Sequence, residues 1–89
     1  MISYKIELTV RAKNNLDKLD NSISKKILNF LYNRVLKLDD PRQLAKPLKG
    51  NLSNLWRYRI GDYRIICDIQ DDKLLILVLT INHRKEVYK

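Results

Sequence analysis

Arg57, Arg59 and Arg64 stand within one short stretch of an 89-residue chain, and Arg84 follows near its end. A guanidinium forms bidentate hydrogen bonds to phosphate oxygens and stays charged at any working pH, so arginines gathered on one surface can grip and polarise a phosphate. His83 and Tyr88 add groups that could move a proton beside them. Imidazole titrates near neutral pH, whereas a phenol accepts a proton there only if neighbouring cations lower its pKa.

These side chains share a surface only if the elements beneath them are strands. Residues 55–60 and 63–69 are rich in β-branched and aromatic types, and Gly61-Asp62 between them reads as a two-residue type II′ turn with glycine first. That turn pairs Ile60 with Tyr63 and Arg59 with Arg64. Trp56, Tyr58, Ile60, Tyr63, Ile65, Cys67 and Ile69 then fall on one face, and Leu55, Arg57, Arg59, Arg64, Ile66 and Asp68 on the other. Arginine opposite arginine is unfavourable by up to about 1 kcal/mol, for which a fold has no motive and a bound phosphate does. The alternative is a solvated face neutralised by Asp68 or by the preceding loop.

The remaining pattern supplies a scaffold. Ile2, Tyr4, Ile6 and Leu8 alternate with polar residues as in a strand with one buried face, and Thr9 can cap a short helix over 10–19, although Asn14-Asn15 weakens it. Ile23, Ile27, Phe30, Leu31, Val35 and Leu38 form an apolar stripe that predicts a second helix ending before Asp39-Asp40-Pro41. The two helices are expected to form a hairpin against the sheet. Residues 42–54, with Pro47 and Gly50, read as a loop anchored by Leu44, Leu48 and Leu52 with mobile lysines. A turn at 70–73 leads into 74–81, an unbroken apolar run expected to be covered on both faces. The expectation is one α+β domain over 1–89, ordered β-α-α-β-β-β, with two N-terminal helices on a mainly antiparallel twisted sheet.

Composition narrows the partners. The net charge is +8, and Arg42, Lys46, Lys49, Arg57, Arg59 and Arg64 cluster against one acid, Asp62, which favours a polyanion or an acidic protein. Cys67 and His83 are single, which argues against a disulfide framework or a structural metal. The alternating N-terminus is unlike a signal peptide and the apolar run is too short to span a bilayer, so a cytoplasmic protein without membrane attachment is expected.

Three segments in order, Pro47-Leu48-Lys49-Gly50, Leu55-Trp56-Arg57-Tyr58-Arg59-Ile60-Gly61-Asp62-Tyr63-Arg64-Ile65-Ile66 and His83-Arg84-Lys85-Glu86-Val87-Tyr88, resemble the RelE/ParE superfamily of toxins, in its RelE-like messenger-RNA interferase branch. The resemblance covers essentially the whole chain. It implies cleavage of messenger RNA in the ribosomal A site, with no metal or cofactor, by attack of the RNA 2′-hydroxyl on its own phosphate. It also implies an antitoxin partner. By position, Arg64 matches the family arginine on the phosphate, Arg84 the one near the leaving group, and Tyr88 the C-terminal tyrosine thought to act as base. Arg57 and Arg59 sit where members often carry two lysines, and Lys46 stands where the YoeB-like branch has a basic glutamate. The catalytic set so implied is Arg59, Arg64, Arg84 and Tyr88, with Lys46, Lys49, Arg57, His83 and Lys85 holding RNA. Two alternatives stay open, a ParE-like inhibitor of DNA gyrase and a non-catalytic RNA- or ribosome-binding module.

Overall fold

The computed structural model describes residues 3–50 and 54–83. Strand β1 (Lys5–Leu8) leads into helix α1 (Val10–Asp17) and helix α2 (Asn21–Asn33); then come β2 (Lys46–Pro47), β3 (Trp56–Ile60), β4 (Tyr63–Gln70) and β5 (Leu75–His83). The sheet order is β1-β5-β4-β3-β2, with β1 parallel to β5 and every other pair antiparallel. The expected α+β architecture is therefore present, with two helices packed on the sheet and one short strand more than the sequence indicated.

The alternation of β3 and β4 directs Tyr58, Ile65, Cys67 and Ile69 into the core, joined by Ile76, Val78 and Ile81 of β5. Helix α2 covers this face with Ile27 and Leu31, both fully buried, and Phe30 meets Tyr58 edge-on with ring centroids 5.8 Å apart. The helices join through the Ser24 hydroxyl, which donates to the Leu16 carbonyl at 2.9 Å.

Helix α1 also closes an edge of the sheet. Strand β1 ends at Leu8, opposite Val78, so beyond Val78 the edge of β5 that faces away from β4 has no strand beside it among the described residues. The Thr9 hydroxyl caps α1 by accepting from the Ala12 N–H at 3.1 Å and donates to the Leu79 carbonyl at 2.8 Å. Farther along, Asn15 Oδ1 accepts from the Ile81 N–H at 2.9 Å and from the Thr80 hydroxyl at 3.1 Å. Asparagine is a poor helix former, and its place here follows from the buried backbone donor that it satisfies.

Three expectations are corrected. Helix α2 stops at Asn33 rather than near residue 38; Arg34 leaves helical geometry (φ −121°, ψ −56°) and a 3₁₀ turn at Val35–Lys37 keeps Val35 in the core. A tighter turn redirects the chain while preserving the apolar spacing. The segment read as a loop contains a 3₁₀ turn at Pro41–Leu44 and the edge strand β2, in which Lys46 pairs with Arg57 and Pro47 with Trp56. Proline lacks a donor, which a sheet edge tolerates. Lys46 is thus tied to the sheet by its backbone instead of lying on a mobile loop. Lastly, β5 is buried only on its helix-facing side, while Leu75, Leu77 and Leu79 are half-buried.

Candidate functional site

The hairpin register is the predicted one: Ile60 pairs with Tyr63, Arg59 with Arg64, Arg57 with Ile66. Gly61 takes φ +56°, as the first position of a type II′ turn requires. With Tyr58 and Ile65 under the helices, Arg57, Arg59 and Arg64 occupy the opposite, open face. They are not equivalent there. Arg59 is exposed near the hairpin tip, Arg57 is half-buried, and Arg64 is only 7% exposed.

The burial of Arg64 comes from a groove of about 400 Å³ lined by Arg11, Arg57, Arg64 and Thr80 and by Leu48, Leu55, Ile66 and Leu79. A second concavity of about 500 Å³ shares Leu48 and Arg57 with it and adds Lys46, Pro47 and Lys49. Five cationic side chains therefore surround one apolar floor, and no carboxylate is among the described residues that line either hollow. Asp68, on the same face, accepts a hydrogen bond from the Gln70 amide at 2.8 Å. An amphipathic anion such as a nucleotide fits this combination, since phosphate meets guanidinium while a ribose or base lies on leucine and isoleucine.

A β-bulge shapes the groove. Ile66 pairs with Thr80 but Cys67 pairs with Val78, so Leu79 is the extra residue of β5 and the alternation reverses beyond it. Ile81 and His83 consequently turn to the helix side. His83 meets Tyr63 edge-on at 5.2 Å, in a hollow with Asn15, Lys18 and Leu19, on the face opposite Arg57 and Arg64. His83, expected to hold RNA beside the arginines, thus stands on the other face of the sheet from Arg57 and Arg64. Arg84, Lys85 and Tyr88 lie outside the described residues.

Arg11 was not singled out by the sequence. It lies off the apolar stripe of α1, far from the other arginines in the chain, and no local pattern marks it. Arg42, counted in the same basic stretch as the groove residues, has a different environment. Its guanidinium donates to both carboxylate oxygens of Asp71 at 3.0 Å and lies 5.4 Å from the Trp56 ring, while the Tyr4 hydroxyl donates to Asp71 at 2.6 Å. The hydrogen bonds from Arg42 and Tyr4 hold the Asp71 carboxyl below its ordinary pKa. Burial raises the Tyr58 phenol, whose hydroxyl donates to the Pro41 carbonyl at 2.5 Å, and pushes the Cys67 thiol up to about 12, so neither is primed to react. Among the described residues no three His, Cys, Asp or Glu side chains gather as a metal set, and no helix is long and apolar enough to cross a membrane.

Residues 6–88 match the family model described as the ParE toxin of type II toxin-antitoxin systems. The chain belongs to that toxin family. Within it the chain is RelE-like: it is 27% identical to the toxin RelG of Mycobacterium tuberculosis over 86 residues, covering 97% of both chains. It is 29% identical to the toxin RelE of the same organism over 86 residues, or 97% of this chain and 87% of that one. A chain of the M. tuberculosis RelBE2 toxin-antitoxin complex superposes with a TM-score of 0.85 at 27% identity, with 94% of each covered. The intact Escherichia coli RelBE complex gives 0.74 at 19% identity, covering 91% of this toxin and 96% of that chain, a likeness of fold.

Proposed function

We propose that this toxin is a metal-free endoribonuclease that cleaves messenger RNA in the ribosomal A site. The observation that carries the reading is the buried Arg64 beside Arg57 and Arg11 in one groove with an apolar floor, on the face that bears Arg59, Lys46 and Lys49. Such a surface suits a phosphodiester whose negative charge grows as the 2′-hydroxyl oxygen attacks phosphorus. Breaking the bond to the 5′-oxygen leaves a 2′,3′-cyclic phosphate and a 5′-hydroxyl. A base removes the 2′ proton and an acid supplies one to the departing oxygen. Arg57, Arg59 and Arg64 stabilise the phosphorane, because fixed cations aimed at developing charge lower the barrier most in a site that excludes water. Tyr88 is the proposed base, Arg84 acts at the leaving group, and Lys46, Lys49 and Lys85 hold flanking phosphates. His83 keeps no direct role here.

The named relatives RelG and RelE support this branch, and the solved RelBE complexes support a cognate antitoxin as partner. An acidic antitoxin segment suits the cationic face, in which case the affinity of the pair falls as salt rises. The family description, which names ParE, favours a second reading, inhibition of DNA gyrase by the same fold. Mapping transcript 5′ ends after brief induction separates them. Cleavage within translated codons, lost in Tyr88→Phe, is expected; broken DNA with intact transcripts would establish the gyrase reading. Purified protein that binds programmed ribosomes without producing 2′,3′-cyclic phosphate would be a binding module only.

A further inference from the structure

Arg11 lines the groove from near the N-terminal end of the chain, far in sequence from Arg57 and Arg64, and the helix turn that carries it is held by two hydrogen bonds from Thr9. Thr9, two residues earlier, donates its N–H to the Val78 carbonyl at 3.0 Å and its hydroxyl to the Leu79 carbonyl at 2.8 Å. The first turn of α1 is thereby fastened to the bulge whose Leu79 lines the groove. Three guanidinium groups are brought together around Leu48, Leu55, Ile66 and Leu79, with no acid among the described lining residues. Folding alone gives no reason to gather like charges. A hollow of about 400 Å³ also exceeds what one phosphate needs and falls within the range of small-molecule sites, about 300–1,000 Å³.

We infer that Arg11 is a further RNA-binding residue, gripping the phosphate adjacent to the one held by Arg57 and Arg64, with the intervening nucleoside lying on the apolar floor. The inference rests on the RNA reading above and specifies how the groove takes its strand. Arg11 binds equally before and during the reaction, because it holds a phosphate that does not react. It therefore contributes to affinity and leaves the chemical step alone.

The test uses a short fluorescent single-stranded RNA, 2′-O-methylated at each position so that it cannot be cut, titrated with the parent, Arg11→Ala, Arg11→Lys and the remote control Arg34→Ala. Arg11→Ala is expected to bind about tenfold more weakly, as befits one lost hydrogen-bonded charge. Its slope of log affinity against log salt should be shallower by about 0.7, one phosphate contact on a single strand. Arg11→Lys should restore the slope, and Arg34→Ala should match the parent. On programmed ribosomes, Arg11→Ala should raise the half-saturating concentration while the cleavage rate at saturation stays at the parent value. Arg11 is exposed, so the thermal midpoint should be unchanged, which separates binding from folding.

Parent-like affinity and salt slope in Arg11→Ala would overturn the inference while leaving ribonuclease activity standing. A loss of cleavage rate at saturation would likewise overturn it, by moving Arg11 into the chemical step. If the parent binds RNA with the Arg11-dependent slope yet never cuts message, the contact stands and the endoribonuclease reading fails. No binding of RNA by the parent would remove both.

Discussion

Arg42 and Arg64 are both partly or largely buried arginines in one basic stretch of sequence, yet they meet opposite surroundings. Arg42 spends its guanidinium on the two oxygens of Asp71 and on the Trp56 ring, fastening the turn at Pro41–Leu44 to the β4–β5 connection. Arg64 lies in a groove whose other charged linings among the described residues are Arg11 and Arg57. The difference teaches that counting basic residues does not locate a site. Arg42 is committed to an ion pair that ties two turns together, whereas Arg64 shares its groove with two further guanidinium groups and an apolar floor, a setting that suits an anionic ligand.

If that distinction holds, Arg64→Ala should lower the cleavage rate by about a hundred- to a thousandfold, the usual cost of one group that stabilises developing charge. Arg42→Ala should leave the rate at saturation within a fewfold of the parent. Equal losses would erase the contrast. Tyr58→Phe probes the Arg42 side from within the core: it strips the Pro41 carbonyl of its buried donor and should cost about 1–3 kcal/mol, read as a fall in thermal midpoint with the cleavage rate of the folded protein retained.

Asp71→Asn should cost less than about 1 kcal/mol at neutral pH, since the pair is screened by solvent. Its sign with pH is definite. The carboxyl is held below its ordinary value of 3.8 in the fold, so its contribution is present above that value and disappears as pH falls through the folded pKa. Denaturation curves of parent and Asp71→Asn should therefore converge in acid. The smallest effect belongs to Leu74, which follows the turn carrying Asp71 and holds φ +49°. Leu74→Gly should relieve that left-handed strain and raise stability by about 0.5 kcal/mol, net of glycine's added entropy in the unfolded chain.

The sequence by itself determined what depends on local spacing. A two-residue turn at Gly61-Asp62 admits one register, so Arg59 opposite Arg64 and Tyr58 in the core are legible in the chain alone, as are the Thr9 cap and the buried stripe of α2. Only the tertiary structure decided matters that depend on distant neighbours. The arrival of Arg11 beside Arg64 and the commitment of Arg42 to Asp71 join segments far apart in the chain, and the pairing of β2 with β3 spans a stretch with no strand pattern of its own. Periodicity is silent about which element lies next to which. The Leu79 bulge adds a further reason: one extra residue reverses the alternation of β5, and so a pattern that assigns faces by counting along the strand cannot place His83. Arg57, Arg59 and Arg64 were thus identifiable by type and register, while the groove that distinguishes them was made by the sheet order and the bulge.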